Sequence, residues 1–147
     1  MKTKFISPIG DLYIKKSGDK KYNLSFFNKE RVSVANANDP IIIQINEYFA
    51  GKRLKFDLEI MPDGTNFQKQ VWQALCDIPF GQTMTYKQIA NKIGRPKAAR
   101  AVGLACNKNP LAIIIPCHRV VGSNRNLTGY AGGLEKKQWL LQFENAI

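Results

Sequence analysis

The sequence has 147 residues, enough for one domain with a real core or for two small lobes. At 44% hydrophobic residues it is not a disordered chain, and no apolar run approaches the roughly 20 residues that a membrane span requires. The net charge of +11 lies mostly in the second part, where 11 basic residues face only 3 acidic ones from Thr65 onward.

That asymmetry suits a polyanionic partner, because neutralised phosphates release counterions; a well-solvated basic surface accounts for it more simply. The start, Met1-Lys2-Thr3-Lys4-Phe5-Ile6-Ser7-Pro8, lacks an apolar stretch followed by a cleavage site, so a cytoplasmic protein is expected. Cys76, Cys106 and Cys117 are odd in number and show no Cys-x-x-Cys spacing, which argues against a disulfide framework. A zinc site made of all three with His118, the only histidine, would have no familiar spacing.

In chain order, Leu12-Tyr13-Ile14 and residues 22–27 read as short strands punctuated by Gly10, Gly18 and Asp19. Asp39-Pro40 reads as a helix N-cap followed by proline at the first helical position. Ile41, Ile45 and Phe49 then fall on one face, and Gly51 offers a stop. Residues 56–60 alternate like a half-buried strand. Met61-Pro62-Asp63-Gly64 is the expected linker, giving an α+β chain with an N-terminal lobe at 1–61 and a C-terminal domain at 62–147.

The second part reads as mostly helical. Thr65-x-x-Gln68 and Thr85-x-x-Gln88 fit capping boxes, the first followed by Phe67, Val71 and Leu75, the second by Ile89 and Ile93. Gly94-Arg95-Pro96 turns the chain into a further helix expected over 96–106. Two short helices joined by a tight glycine-containing turn make a helix-turn-helix. The last of these carries small residues, Ala98, Ala99, Ala101, Val102, Gly103 and Ala105, with Lys97 and Arg100 as its only charges. Two readings stand: a small-residue helix packed in the core, or a helix laid on DNA with Arg100 projecting.

Residues 111–115 form a β-branched apolar run that reads as a buried strand or extended segment ending at Pro116. Cys117 follows, flanked by His118 and Arg119. A cysteine near cations can be held as thiolate, its nucleophilic form. Adjacent residues nevertheless point apart in strand and helix alike, so His118 reaches Cys117 only if the backbone turns or a water intervenes. A buried structural cysteine beside a surface histidine fits as well. A last helix is expected over 134–144, where Glu144 shares a face with Leu140 and Leu141. A carboxylate there opposes the helix dipole, so it is either a solvated end or the partner of an imidazole.

Pro116-Cys117-His118-Arg119-Val120 resembles the signature of the O6-alkylguanine-DNA alkyltransferases. The segment from Arg95 to Gly103 is similar to that family's recognition helix, and Asn109-Pro110, Gly129-Tyr130-Ala131-Gly132-Gly133-Leu134 and Leu140-Leu141-x-x-Glu144 follow in order. The resemblance is strong from about Phe67 to Glu144; before Asp63 it rests on Ser7-Pro8-Ile9-Gly10 and overall length.

The resemblance implies a ribonuclease-H-like N-terminal lobe and a winged-helix-like C-terminal one. Cys117 would be the alkyl acceptor, His118 the base acting through a water, Glu144 its orienting carboxylate and Asn109 the brace of the active-site turn. Tyr86 would crowd the target phosphate and protonate the leaving guanine, and Arg100 would fill the gap left by a flipped base. Thr85, Lys97, Ala98, Ala99 and Arg119 complete the expected DNA contacts, made in the minor groove. Val120, Tyr130 and Ala131 would wall the alkylguanine pocket. The expected partner is double-stranded DNA carrying O6-alkylguanine, met by a monomer with no cofactor. No zinc is expected, since neither Cys nor His occurs before Cys76. Relatives without the reaction carry tryptophan at the cysteine position, so Cys117 implies an active protein. Two rival readings are a DNA-binding protein without chemistry and a Cys-His hydrolase, which the adjacency of Cys117 and His118 disfavours.

Overall fold

The computed structural model describes residues 2–18 and 20–147, with only the backbone of Val34; the expected turn residue Asp19 lies outside the described residues. The chain is a mixed α+β protein of two compact units, Met1–Pro62 and Asp63–Ile147.

The first unit holds a four-stranded sheet in the order β3-β2-β1-β4. Strands β1 (Lys2–Ser7) and β2 (Gly10–Lys16) form an antiparallel hairpin in which Phe5 faces Leu12 and Ser7 faces Gly10. Its tight turn puts Gly10 at φ 115°, a region that glycine enters without penalty. β3 (Tyr22–Ser25) adds antiparallel to β2, and β4 (Val32–Val34) parallel to β1. Helix α1 (Pro40–Phe49) begins as its sequence dictates: the Asp39 side chain accepts from the Ile41 amide, and Pro40 sits at the first turn.

Residues 56–60, expected as a strand, are not one. Their alternation of half-buried and exposed side chains is present, but among the described residues no strand pairs with them. The Gln44 side chain does so instead, donating to the Asp57 carbonyl and accepting from its amide, both at 2.8 Å. Strand β4 carries no local signal, because its partner β1 lies far back in the chain, and β1 itself is not anticipated although it pairs within a hairpin.

The second unit contains α2 (Asn66–Cys76), α3 (Tyr86–Lys92), α4 (Ala99–Asn107) and α5 (Leu134–Phe143). Thr65 and Thr85 cap α2 and α3 with the complete reciprocal pair of bonds to Gln68 and Gln88. Gly94, at φ 76°, turns the chain after α3. Helix α4 starts later than expected: Ala98 offers no side-chain cap, so residues 95–98 form a turn, and Lys97 lies before the helix rather than in it. Val102, Ala105 and Cys106 are buried, and the Trp72 indole donates to the Ala105 carbonyl at 2.9 Å, fixing α4 on α2. A short parallel pair, β5 (Met84–Thr85) with β6 (Val120–Val121), joins the entry of α3 to the residues just after Cys117. Among the described residues no helix is long and apolar enough to cross a membrane.

Candidate active site

The run 111–115 is buried but is neither strand nor extended. One side chain explains the difference. Asn109 Oδ1 accepts from the Leu111 amide at 2.9 Å, while its Nδ2 donates to the Ile115 carbonyl at 2.7 Å and to Cys117 Sγ at 3.1 Å. Every hydrogen-bonding capacity pinned there has a use, and the two donated bonds settle which end of the amide is nitrogen. Stapled at both ends, the run folds into turns. Ile113 is driven to φ 72°, and the Ile114 amide bonds back to the Ala112 carbonyl at 2.8 Å. Such a tight turn through a β-branched residue is strained, at a cost of roughly 1–3 kcal/mol.

After Pro116 the chain makes one 3-10 turn, Cys117–Arg119, so neighbouring side chains diverge. His118 is fully buried, and its Nε2 lies 2.7 Å from Glu144 Oε2. Because a carboxylate only accepts, Nε2 carries the proton and Nδ1 is the basic nitrogen. Nδ1 is buried and meets no hydrogen-bond partner among the described residues. Burial lowers the imidazole's pKa below its ordinary 6.5, outweighing the opposing pull of Glu144, so it is neutral near pH 7.

Arg119 was expected on DNA; it is instead buried. Its Nε and Nη2 fork onto Glu144 at 2.8 and 3.0 Å, its Nη1 donates to the Ile78 carbonyl at 2.7 Å, and its guanidinium lies 5.8 Å from the centre of the Phe80 ring. A planar fork matched to a carboxylate cannot also reach a phosphate. Burial pushes the Glu144 carboxyl up, but the bonds from His118 and Arg119 outweigh it and bring its pKa to about 2.

Burial also pushes the Cys117 thiol above its ordinary 9.0, against the Asn109 hydrogen bond and the Lys137 charge that favour thiolate. At rest Cys117 is therefore a thiol that needs a base. Cys106 lies in the same electrostatic neighbourhood and is driven to about 12, chiefly by burial.

Lys137 is a residue the sequence reading did not single out. It is fully buried on α5, and its Nζ donates to the carbonyls of Thr128 (2.8 Å) and Gly129 (3.2 Å). Thr128 also accepts from the Tyr86 hydroxyl at 3.1 Å, and Nζ lies 5.9 Å from the Tyr86 ring centre. A signal was there: Lys137, Leu140, Leu141 and Glu144 share one helical face. Burial raises the pKa of Tyr86 above 10.0, keeping it a neutral phenol, and raises that of Tyr130 well beyond it.

Of the remaining expected residues, Val120 is fully buried in β6, Tyr130 is half-buried with its hydroxyl inside, and Ala131 is exposed. Thr85, Ala98 and Ala99 are half-buried, and Lys97 and Arg100 are exposed at the start of α4.

A family model described as 6-O-methylguanine DNA methyltransferase, DNA binding domain, matches residues 66–146. The methylated-DNA–protein-cysteine methyltransferase of Methanosarcina acetivorans is 47% identical over 152 residues, covering 97% of this chain and 96% of that one. The protein of the same name from Methanosarcina barkeri is 62% identical over 101 residues, 69% of this chain, and the match spans 64% of that relative's length. Among solved structures, Mycobacterium tuberculosis OGT in complex with DNA matches at a TM-score of 0.89 and 43% identity, covering 99% of this chain and 92% of that one.

Proposed function

The chain belongs to the 6-O-methylguanine DNA methyltransferase family, and from that premise we propose that it repairs DNA by taking an alkyl group from O6 of guanine onto Cys117 Sγ. The observation that carries the reading is Asn109 bonded to Cys117 Sγ, with the next residue of the same 3-10 turn a buried histidine whose Nε2 is held by Glu144, leaving Nδ1 as its basic nitrogen.

The chemistry follows from these groups. The Cys117 proton passes through a water to His118 Nδ1, and Glu144 stabilises the imidazolium that forms. Asn109 and Lys137 favour the resulting thiolate. Sulfur attacks the alkyl carbon in line, the carbon–O6 bond breaks, and guanine leaves with a proton from the Tyr86 hydroxyl. The product is a thioether, for which the site offers no means of hydrolysis, so each molecule acts once. The lesion is itself the donor, and the reaction needs no cofactor.

A stacked base cannot reach a buried sulfur, so the lesion is rotated out at a cost of a few kcal/mol. Arg100 fills the space, with Thr85, Tyr86, Lys97, Ala98 and Ala99 along the minor groove. Val120, Tyr130 and Ala131 line the pocket for the flipped base. In this reading the first unit is a ribonuclease-H-like lobe, the second is winged-helix-like, and the protein works as a monomer. A free acceptor thiol requires reducing surroundings, consistent with the cytoplasm.

Intact mass after incubation with a duplex carrying O6-methylguanine tests the reading. The chain is expected to gain one methyl group, and Cys117→Ala none. An unchanged mass, or a methylated Cys117→Ala protein, overturns it.

A further inference from the structure

Beyond β6 the chain makes a tight turn at 122–126, closed by the Gly122 amide on the Asn126 carbonyl at 2.7 Å and the Arg125 amide on the Gly122 carbonyl at 3.0 Å. Asn124 and Arg125 are both left-handed, at φ 60° and 61°. Asparagine tolerates that region; for arginine it is a strained choice, and glycine would make the same turn freely. The turn itself has no need of the arginine side chain.

That side chain points to where it is used. Nη1 donates to Thr83 Oγ1 at 3.3 Å, an exposed bond, and among the described residues no carboxylate pairs with Arg125. Thr83 leads directly into β5 and then Tyr86, and β5 pairs with β6, from which the turn hangs. The parallel pair thus sets the guanidinium at the lip formed by Thr83, Thr85 and Tyr86, with most of its five donors unused and with Ser123 and Asn124 exposed beside it.

We propose that Arg125 is a phosphate contact, gripping the DNA backbone beside the point where Tyr86 meets it. This rests on the DNA-repair reading above. An exposed guanidinium fork without an acid, next to a hydroxyl and an amide, matches phosphate geometry. A phosphate contact carries no sequence or lesion information, so Arg125 adds affinity to damaged and undamaged duplexes alike.

The test compares the full chain with Arg125→Gly and Arg125→Lys, binding one duplex with and without O6-methylguanine across a range of salt. Arg125→Gly is expected to make the slope of log K against log salt shallower by about 0.9, equally on both duplexes. Its melting midpoint is expected to stay or rise, because glycine relieves the turn, and Arg125→Lys should keep most of the slope. Transfer from the free methylguanine base should be unchanged. An unchanged slope in Arg125→Gly, or a loss of binding matched by a lower melting midpoint, overturns the proposal. Failure of the unsubstituted protein to bind either duplex would instead overturn the DNA-repair reading.

Discussion

Glu144 is the acid that holds both His118 and Arg119, and replacing it with glutamine removes a charge while keeping the shape. Its oxygens accept from His118 Nε2 at 2.7 Å and from Arg119 at 2.8 and 3.0 Å. The carboxyl's pKa falls from 4.5 to about 2 on folding, a shift that corresponds to about 3 kcal/mol of stability. Since the folded value is the lower one, this stability is present above pH 4.5 and is lost as pH falls towards 2. Glu144→Gln also leaves the Arg119 charge buried against a neutral amide, so a loss of about 3–5 kcal/mol at pH 7 is expected. Urea melts followed by tryptophan fluorescence read this directly, because Trp72 and Trp139 both lie in the second unit. The midpoint should drop by about 1–3 M at pH 7. The gap between the two proteins should narrow by about 2 kcal/mol on going to pH 3, because the unfolded chain's carboxyl takes up its proton near pH 4.5 while the native one stays mostly ionised. A gap as wide at pH 3 as at pH 7, or none at pH 7, would refute the reasoning.

Lys137→Met removes the donors to Thr128 and Gly129 without leaving a buried charge, so global stability should hold within about 1 kcal/mol. Amide exchange across 126–133 should quicken and transfer from DNA should slow; exchange identical to that of the unsubstituted chain would contradict the role given to Lys137. Burial keeps the His118 pKa under 6.5, so the single-turnover rate should fall only below that pH. A rate already falling above pH 6.5 would exclude neutral His118 as the base.

Features governed by short-range chemistry are legible in the sequence. The Asp39-Pro40 start and both Thr-x-x-Gln boxes are satisfied within a few residues of chain, and each forms as its pattern requires. Glu144 is legible too, since a helix repeats its faces and an acid on an apolar one demands a partner. The failures are of one kind. Residues 111–115 read as a strand, but the Asn109 amide bends them; residues 56–60 alternate like a strand, but the Gln44 amide takes the place of a neighbour. Periodicity reports which side of a segment is buried and says nothing of which group occupies its backbone. Arg119 misleads for a related reason: a basic residue in a basic segment looks like a DNA contact until the buried acid that claims it is located.

The shared carboxylate of Glu144 also bears on how relatives of this chain are to be interpreted. The same two oxygens hold His118 Nε2 and neutralise a buried arginine, so under the proposed mechanism selection for a foldable protein and selection for an active one would act on them together. A descendant that abandoned alkyl transfer could not lose Glu144 alone without leaving the buried Arg119 charge uncompensated. Their presence in a sequence therefore testifies to ancestry and architecture. Under the proposed function, only the sulfur of Cys117 would testify to chemistry.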